Sequence, residues 1–406
     1  MTEFVITKLG HLGDGLAGRL VVPGTLPGER VEGVLDGDRV EEPRILQPSA
    51  DRVRPPCPHA KSCGGCVVQH ASDPLVADWK RGMVVEALAA QGIAAEVGAP
   101  VTSPPQSRRR AGFAGRRTKK AALVGFHGRR SHTLVEVPDC HVITKSLAAR
   151  RPRRAELTEA GGARKGELLF QVTDTPAGAD VAVTGGKPLD PATYQRLVEI
   201  GSAAGLARLS WEGEQVAQWQ PPGVRFGPAR VVLPPGAFLQ ATAEGESALL
   251  AAVRAITGDA ARIADLFSGC GTFALPLATG AEVLAVEGDP AQTAALLTAA
   301  RACDALHPVA AETRDLFRRP LLPDELNRFD AVVIDPPRAG AEAQMRELAR
   351  SAVARIASVS CSPASFARDA AILIAGGYRM GPVAVVDQFR WSPHVELAAG
   401  FFRDTA

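Results

Sequence analysis

From residue 243 to residue 361 the chain repeats one rhythm, and that rhythm limits the kind of sheet it can build. A helix-length segment, Ala243 to Thr257, leads into the apolar run Arg262-Ile-Ala-Asp-Leu-Phe267, then into Gly-Cys-Gly and a second helical stretch. Glu282-Val-Leu-Ala-Val-Glu287, Arg328-Phe-Asp-Ala-Val-Val-Ile-Asp335 and Arg355 to Cys361 are further runs of the same kind. Continuous apolar runs suit strands covered on both faces, and the helical segments between them are the crossovers that parallel strands require. The expected fold is α/β, a doubly wound, Rossmann-like parallel sheet. Such sheets place ligands beyond the carboxyl ends of their strands, so the residues that end each run are the informative ones.

Those ends carry chemistry. Asp265-Leu-Phe-Ser-Gly-Cys-Gly-Thr272 closes the first run with a tight turn whose Gly269 and Gly271 let a ligand approach the backbone. Glu287 ends the next run, where a carboxylate commonly takes ribose hydroxyls. The turn is not G-x-G-x-x-G and has no Walker lysine, which disfavours a dinucleotide or ATP. Asp335-Pro-Pro-Arg338 holds a carboxylate on a rigid strand end. Cys361 ends the last run, and Ser362-Pro363 opens a helix after it. The helix N-terminus is expected to favour thiolate over thiol, which suits a nucleophile. Such a thiolate can add to carbon 6 of a pyrimidine and make carbon 5 nucleophilic, after which a base must remove the carbon-5 proton. His394-Val-Glu396 offers a base, and strand alternation would put both side chains on one face. His394 is expected to orient or pack rather than transfer protons.

The remaining chain reads as two further units. Residues 1–55 are short β-like runs broken by glycine and proline, a pattern that suggests a compact OB-type barrel. Residues 56–235 are mixed, with a helix expected from Pro74 to Gln91; residues 236–406 form the α/β unit. Of seven cysteines, Cys57, Cys63 and Cys66 fall within ten residues, and Cys140 is the remaining candidate ligand in that half. Four thiolates serve zinc or a [4Fe–4S] cluster, and spacing alone does not decide. Net charge is only +2, but residues 108 to 130 hold nine Lys or Arg and no acid: 108, 109, 110, 116, 117, 119, 120, 129 and 130. Phe113 and Phe126 interleave, and Arg150 to Arg154 adds a second basic knot. Cations neutralise phosphates and aromatics stack on unpaired bases, so RNA is the expected partner. There is no signal peptide and no run long enough to cross a bilayer, so a cytoplasmic protein is expected, with no membrane and no obligate protein partner.

Several motifs together resemble the RNA uracil-5-methyltransferase family, of the type carrying a TRAM domain and an iron–sulfur cluster. Ser-Cys-Ser-Pro-Ala-Ser-Phe-Ala-Arg-Asp369 resembles its nucleophile motif, Asp387-Gln-Phe-Arg-Trp-Ser-Pro-His-Val-Glu396 its C-terminal motif, Phe238-Leu-Gln-Ala-Thr242 a cofactor-site motif, and Leu26-Pro-Gly-Glu29 the TRAM module. The resemblance implies a class I methyltransferase domain using S-adenosylmethionine, with a TRAM-like barrel before it and a central domain holding a [4Fe–4S] cluster. It implies Cys361 as nucleophile and Glu396 as base. It implies Gln240, Phe267, Thr272, Glu287, Asp315 and Asp335 as cofactor contacts, and Cys57, Cys63, Cys66 and Cys140 as cluster ligands. The expected substrate is a uridine taken out of its stack, in 23S ribosomal RNA, with transfer RNA as the alternative. An RNA cytosine-5-methyltransferase and a non-catalytic metal-stabilised RNA-binding protein are the rival readings. Cys270 and Cys303 are expected to be packing residues.

Overall fold

The computed structural model describes residues 2–119 and 121–403, without the side chains of Arg151 and Pro152. Lys120, one of the nine basic residues, therefore lies outside the described residues, as does the Arg151 side chain of the second knot. Three large sheets organise the chain. Residues 2–47 make a six-stranded, mostly antiparallel sheet around Ile6, Val22, Val31 and Val40. Residues 110–218 contribute a seven-stranded sheet whose core includes Phe170, Leu197, Leu209 and Trp211. Within it Arg208 donates from Nε and Nη2 to the two carboxylate oxygens of Asp180, at 2.9 and 2.6 Å, and from Nη2 to the Leu233 carbonyl at 2.7 Å. That pair is almost fully buried and ties the central sheet to the segment entering the third unit.

The third sheet has eight strands. Arg262–Leu266 lies between Glu282–Glu287, with Val309–Thr313 beyond it, and Ala331–Ile334, all parallel. Arg355–Ser360 continues in parallel beside Ala331–Ile334. Glu396–Phe402 then inserts antiparallel between Arg355–Ser360 and Arg379–Asp387. The order reverses around Arg262–Leu266, so the crevice at its carboxyl end is the switch point where such sheets bind ligands. The strands are legible because Ala331 to Ile334 and Ile356 to Ser360 are buried on both faces, as parallel strands under helices must be.

Two elements from much earlier in the chain complete this unit. Val101–Thr102 pairs in parallel with the outer strand Arg379–Asp387. The helix Asp73–Ala89 begins where Ser72 accepts the Leu75 N–H and Pro74 fixes the first turn, and it stops before Gly92 at φ 71°. Its Val84 and Leu88 pack into the same core as Leu266, Ile334, Phe366 and Leu397. The sequence pattern sets this helix within two residues of its observed bounds but says nothing of what it packs against.

Candidate active site

Cys361 directly follows the Arg355–Ser360 strand, and Ser362 caps the helix Pro363–Ala375 by accepting the Ser365 N–H. Antiparallel pairing sets Ser360 opposite Leu397, so one residue further along each strand Cys361 meets Glu396. Glu396 is 4% exposed. Burial pushes its carboxyl from 4.5 to about 8, and the negative charge of Asp335 adds to the shift. Burial, then Glu396 and Asp335, push the Cys361 thiol up to about 11. The expectation that the helix end would favour thiolate is thus corrected: desolvation and two carboxylates outweigh the partial charge of one helix N-terminus. The expectation that strand alternation puts His394 and Glu396 on one face is also corrected: His394 precedes the Glu396–Phe402 strand, exposed in an otherwise largely buried segment, its ring packed edge-on to Phe389.

A hydrogen-bonded chain of amides links the strand ends. Gln240 Nε2 donates to Asp335 Oδ2 at 3.4 Å, and Gln388 Nε2 donates to Gln240 Oε1 at 2.6 Å. Gln388 also accepts the Thr242 N–H and hydrogen-bonds Glu396. Both glutamines are 1% exposed, so their orientation is fixed by these partners. Burial raises Asp335 to about 7. Asp265, fully buried one strand away, is held well above the usual carboxylate range by burial and then by Asp335.

At the switch point the backbone is strained. Phe267 has φ 60°, an outlier for a bulky residue, and Gly269 and Gly271 follow at 56° and 97°. Glu287 accepts the Gly269 N–H and the Asp289 N–H, both at 2.9 Å, which holds the turn against the neighbouring strand and leaves lone pairs for hydroxyl donors. Thr272, 9% exposed, ends the turn. Asp315 caps the next loop, accepting the Phe317 N–H at 3.0 Å, and the Phe317 ring lies 5.3 Å from that of Phe267.

Cys57, Cys63, Cys66 and Cys140 all line one cavity of about 210 Å³, with Arg108 and Phe126 in its wall. Burial pushes the thiols of Cys57 and Cys63 up and Cys66 to about 12, and neighbouring cysteines add to each shift. Among the described residues no three His, Cys, Asp or Glu side chains form a ready ion-binding group. Cys270 is buried and Cys303 packs at the edge of the same core, as expected of packing residues.

Much of the basic run is used inside the protein. Arg109 pairs with Glu246, Arg116 with Glu167, and Arg129 and Arg130 with Asp14. Phe113 is 5% exposed, stacked on Phe126 with Arg154 over its face, which corrects the expectation that it meets bases. Gln388 and Phe317 were not singled out from sequence. Gln388 lay inside the C-terminal motif, where a buried amide leaves no charge or periodicity signal; Phe317 follows Asp315 by two residues and is half exposed beside the glycine turn.

The family model for tRNA (uracil-5-)-methyltransferases matches residues 232–403. A Brucella suis protein described as an uncharacterized RNA methyltransferase is 44% identical over 98% of this chain and 97% of its own length. The 23S rRNA (uracil(1939)-C(5))-methyltransferase RlmD of Halomonas elongata is 35% identical over 97% of this chain and 88% of its own length. The crystal structure of Pyrococcus abyssi tRNA (uracil-54, C5)-methyltransferase in complex with S-adenosyl-L-homocysteine superposes with a TM-score of 0.76, covering 98% of this chain and 99% of that one at 23% identity.

Proposed function

The chain belongs to the RNA uracil-5-methyltransferase family, and from that premise we propose that it methylates carbon 5 of a uridine in 23S ribosomal RNA through a covalent bond between Cys361 and the pyrimidine. The observation that carries the chemistry is the register of two antiparallel strands, which sets Cys361 against Glu396 at the sheet edge beside Asp335. The ribosomal target rests on the Halomonas elongata relative, which spans nearly the whole chain. A transfer-RNA target is the second reading, favoured by the family model and by the Pyrococcus abyssi fold match.

In this reading Cys361 Sγ adds to carbon 6 of the flipped uracil, and carbon 5 becomes nucleophilic. S-adenosylmethionine, when bound, supplies the methyl group from its sulfonium. Glu396 then takes the carbon-5 proton, the carbon 6–sulfur bond breaks and aromaticity returns. Glu396 must be ionised at that step, so the proton it holds in the free chain is first released to solvent, a loss that the positive charge of a bound methyl donor would favour. The thiol proton goes to the other carboxylate coupled to the sulfur, Asp335, and returns as the thiolate leaves. The donor set fits the methyl donor. Glu287 would take ribose hydroxyls, Phe267 and Thr272 lie in the strained turn, Asp315 orders the loop whose Phe317 packs on Phe267, and Gln240 with Asp335 would hold the cationic end, where a positive charge would relieve crowded, desolvated acids.

The four cysteines fit a [4Fe–4S] cluster, since all four line one cavity and four cysteine thiolates are the ligand set such a cluster takes. Residues 1–55 serve as a TRAM-like RNA-binding unit, residues 56–235 as the cluster and RNA-binding unit, and residues 236–406 as the catalytic unit, to which the middle unit lends the Asp73–Ala89 helix and the Val101–Thr102 strand. Two experiments test the reading. RNA containing 5-fluorouridine, incubated with protein and methyl donor, yields a protein–RNA linkage at Cys361 by mass spectrometry; no linkage there defeats the mechanism. Mapping 5-methyluridine in ribosomal and transfer RNA from a strain lacking the gene decides the target.

A further inference from the structure

Lys80 is the most deeply buried cation among the described residues, and nothing in the chemistry above uses it. Its side chain is 0% exposed. An ammonium in that position is tolerated only if all three protons find acceptors. They do: Nζ donates to Asp387 Oδ1 at 2.5 Å, to the Phe389 carbonyl at 3.1 Å and to the His394 carbonyl at 2.9 Å. All three acceptors belong to the one segment that leaves the Arg379–Asp387 strand and delivers Glu396 to the next.

The same helix holds that segment a second time. Asp73 and Lys80 are seven residues apart, two turns along one face, and Asp73 Oδ2 accepts from Arg390 Nη2 at 2.5 Å. Between these grips the segment is strained, with Trp391 at φ 62°. Such a conformation persists only where surrounding contacts over-determine it. The Trp391 carbonyl accepts the Val67 and Val68 N–H groups at 2.8 and 3.2 Å, and Arg108 lies over the Phe389 ring at 5.4 Å. An earlier part of the chain thus clamps the catalytic carboxylate's approach from outside the segment.

We propose that Lys80 is a positioning residue for the reaction. It fixes the segment from Asp387 to Val395 so that the Glu396 carboxylate faces carbon 5 of the adduct, and its loss slows proton removal while leaving attack and methyl transfer intact. This rests on the reading of Glu396 as the base.

The test is a single turnover with uridine-containing RNA and radiolabelled methyl donor, following methylated covalent adduct on denaturing gels and released product, with donor and RNA affinities measured separately. The variants are Lys80→Met, Asp73→Asn and Glu396→Gln. Lys80→Met is expected to slow elimination by about 100-fold, the effect of a carboxylate displaced by about an ångström. Methylated adduct accumulates and both affinities stay at wild-type values. Asp73→Asn, at the exposed grip, is expected to slow the same step by about two- to fivefold, as loss of a surface ion pair allows, and it reports even if Lys80→Met does not fold. Wild-type elimination in either variant overturns the proposal, as does a parallel loss of affinity, adduct formation and elimination in Lys80→Met. Absence of adduct in Glu396→Gln refutes the base assignment itself and takes this proposal with it; adduct in Glu396→Gln but not in Lys80→Met refutes this proposal alone.

Discussion

Replacing Glu396 with glutamine should make the protein more stable as the pH rises, even though it removes the proposed base. Glu396 has an ordinary value of 4.5 and is pushed to about 8 in the folded chain, by burial and then by Asp335. Between those values the unfolded chain releases the proton and the native chain keeps it. The native state therefore binds more protons there, and stability falls with pH at ~1.36 kcal/mol per unit until the folded carboxyl ionises. From about pH 6 to about pH 9 only the interval below about 8 counts, so the wild-type protein loses roughly 3 kcal/mol through this group. Glutamine has nearly the same shape, still hydrogen-bonds Gln388 and does not titrate. Asp335 titrates in both proteins and cancels to first order from the difference. Urea unfolding of both proteins at the two pH values measures the gap. A variant whose stability advantage grows by 2–3 kcal/mol, roughly the figure above, supports a desolvated, protonated Glu396 in the free enzyme. Parallel pH profiles would refute the burial argument and with it the assignment of an unusually basic carboxylate.

Three other outcomes follow from the geometry. Alkylation of Cys361 in the free enzyme, read by mass spectrometry, should be slow near neutrality and accelerate up to about pH 11, because burial and two carboxylates hold the thiol there; full reactivity at pH 7 would contradict it. Gly271→Ala should destabilise the protein by about 1–3 kcal/mol and abolish methyl-donor binding, since the turn needs φ 97° and a Cβ would sit 2.8 Å from the Leu275 side chain; unchanged calorimetric binding would count against the turn. Asp180→Ala should cost about 3–5 kcal/mol in urea unfolding by stranding the buried Arg208, and a loss within 1 kcal/mol would mean that water reaches the pair.

The α/β unit was legible because buried parallel strands leave continuous apolar runs: Glu282–Glu287 falls where the sequence puts it, and Ala243–Thr257 agrees at both ends. Cys361 and Glu396 were singled out from motif and chemistry, and strand register brings them together, yet the raised thiol was not legible, because desolvation depends on residues packed from other strands. The basic run misled for a related reason. Charge is visible in sequence, but Asp14, Glu167 and Glu246, which neutralise four of its arginines, are distant along the chain. Lys80 reads as an ordinary helix-face lysine; only the fold brings three acceptors to it.

The partner of Lys80 lies 307 residues downstream. At ~5–20 residues per second on the ribosome, the helix emerges roughly 15 to 60 s before Asp387 exists. During that interval the ammonium stays in water and the apolar stripe of Val84 and Leu88 has no sheet to cover it. Final assembly is thus deferred to the end of synthesis, when Val101–Thr102 and the helix can close on the finished carboxyl-terminal strands. A fragment limited to residues 232–403 would lack both, leaving a bare edge and an unanchored segment before Glu396, so it should aggregate rather than act as a minimal enzyme.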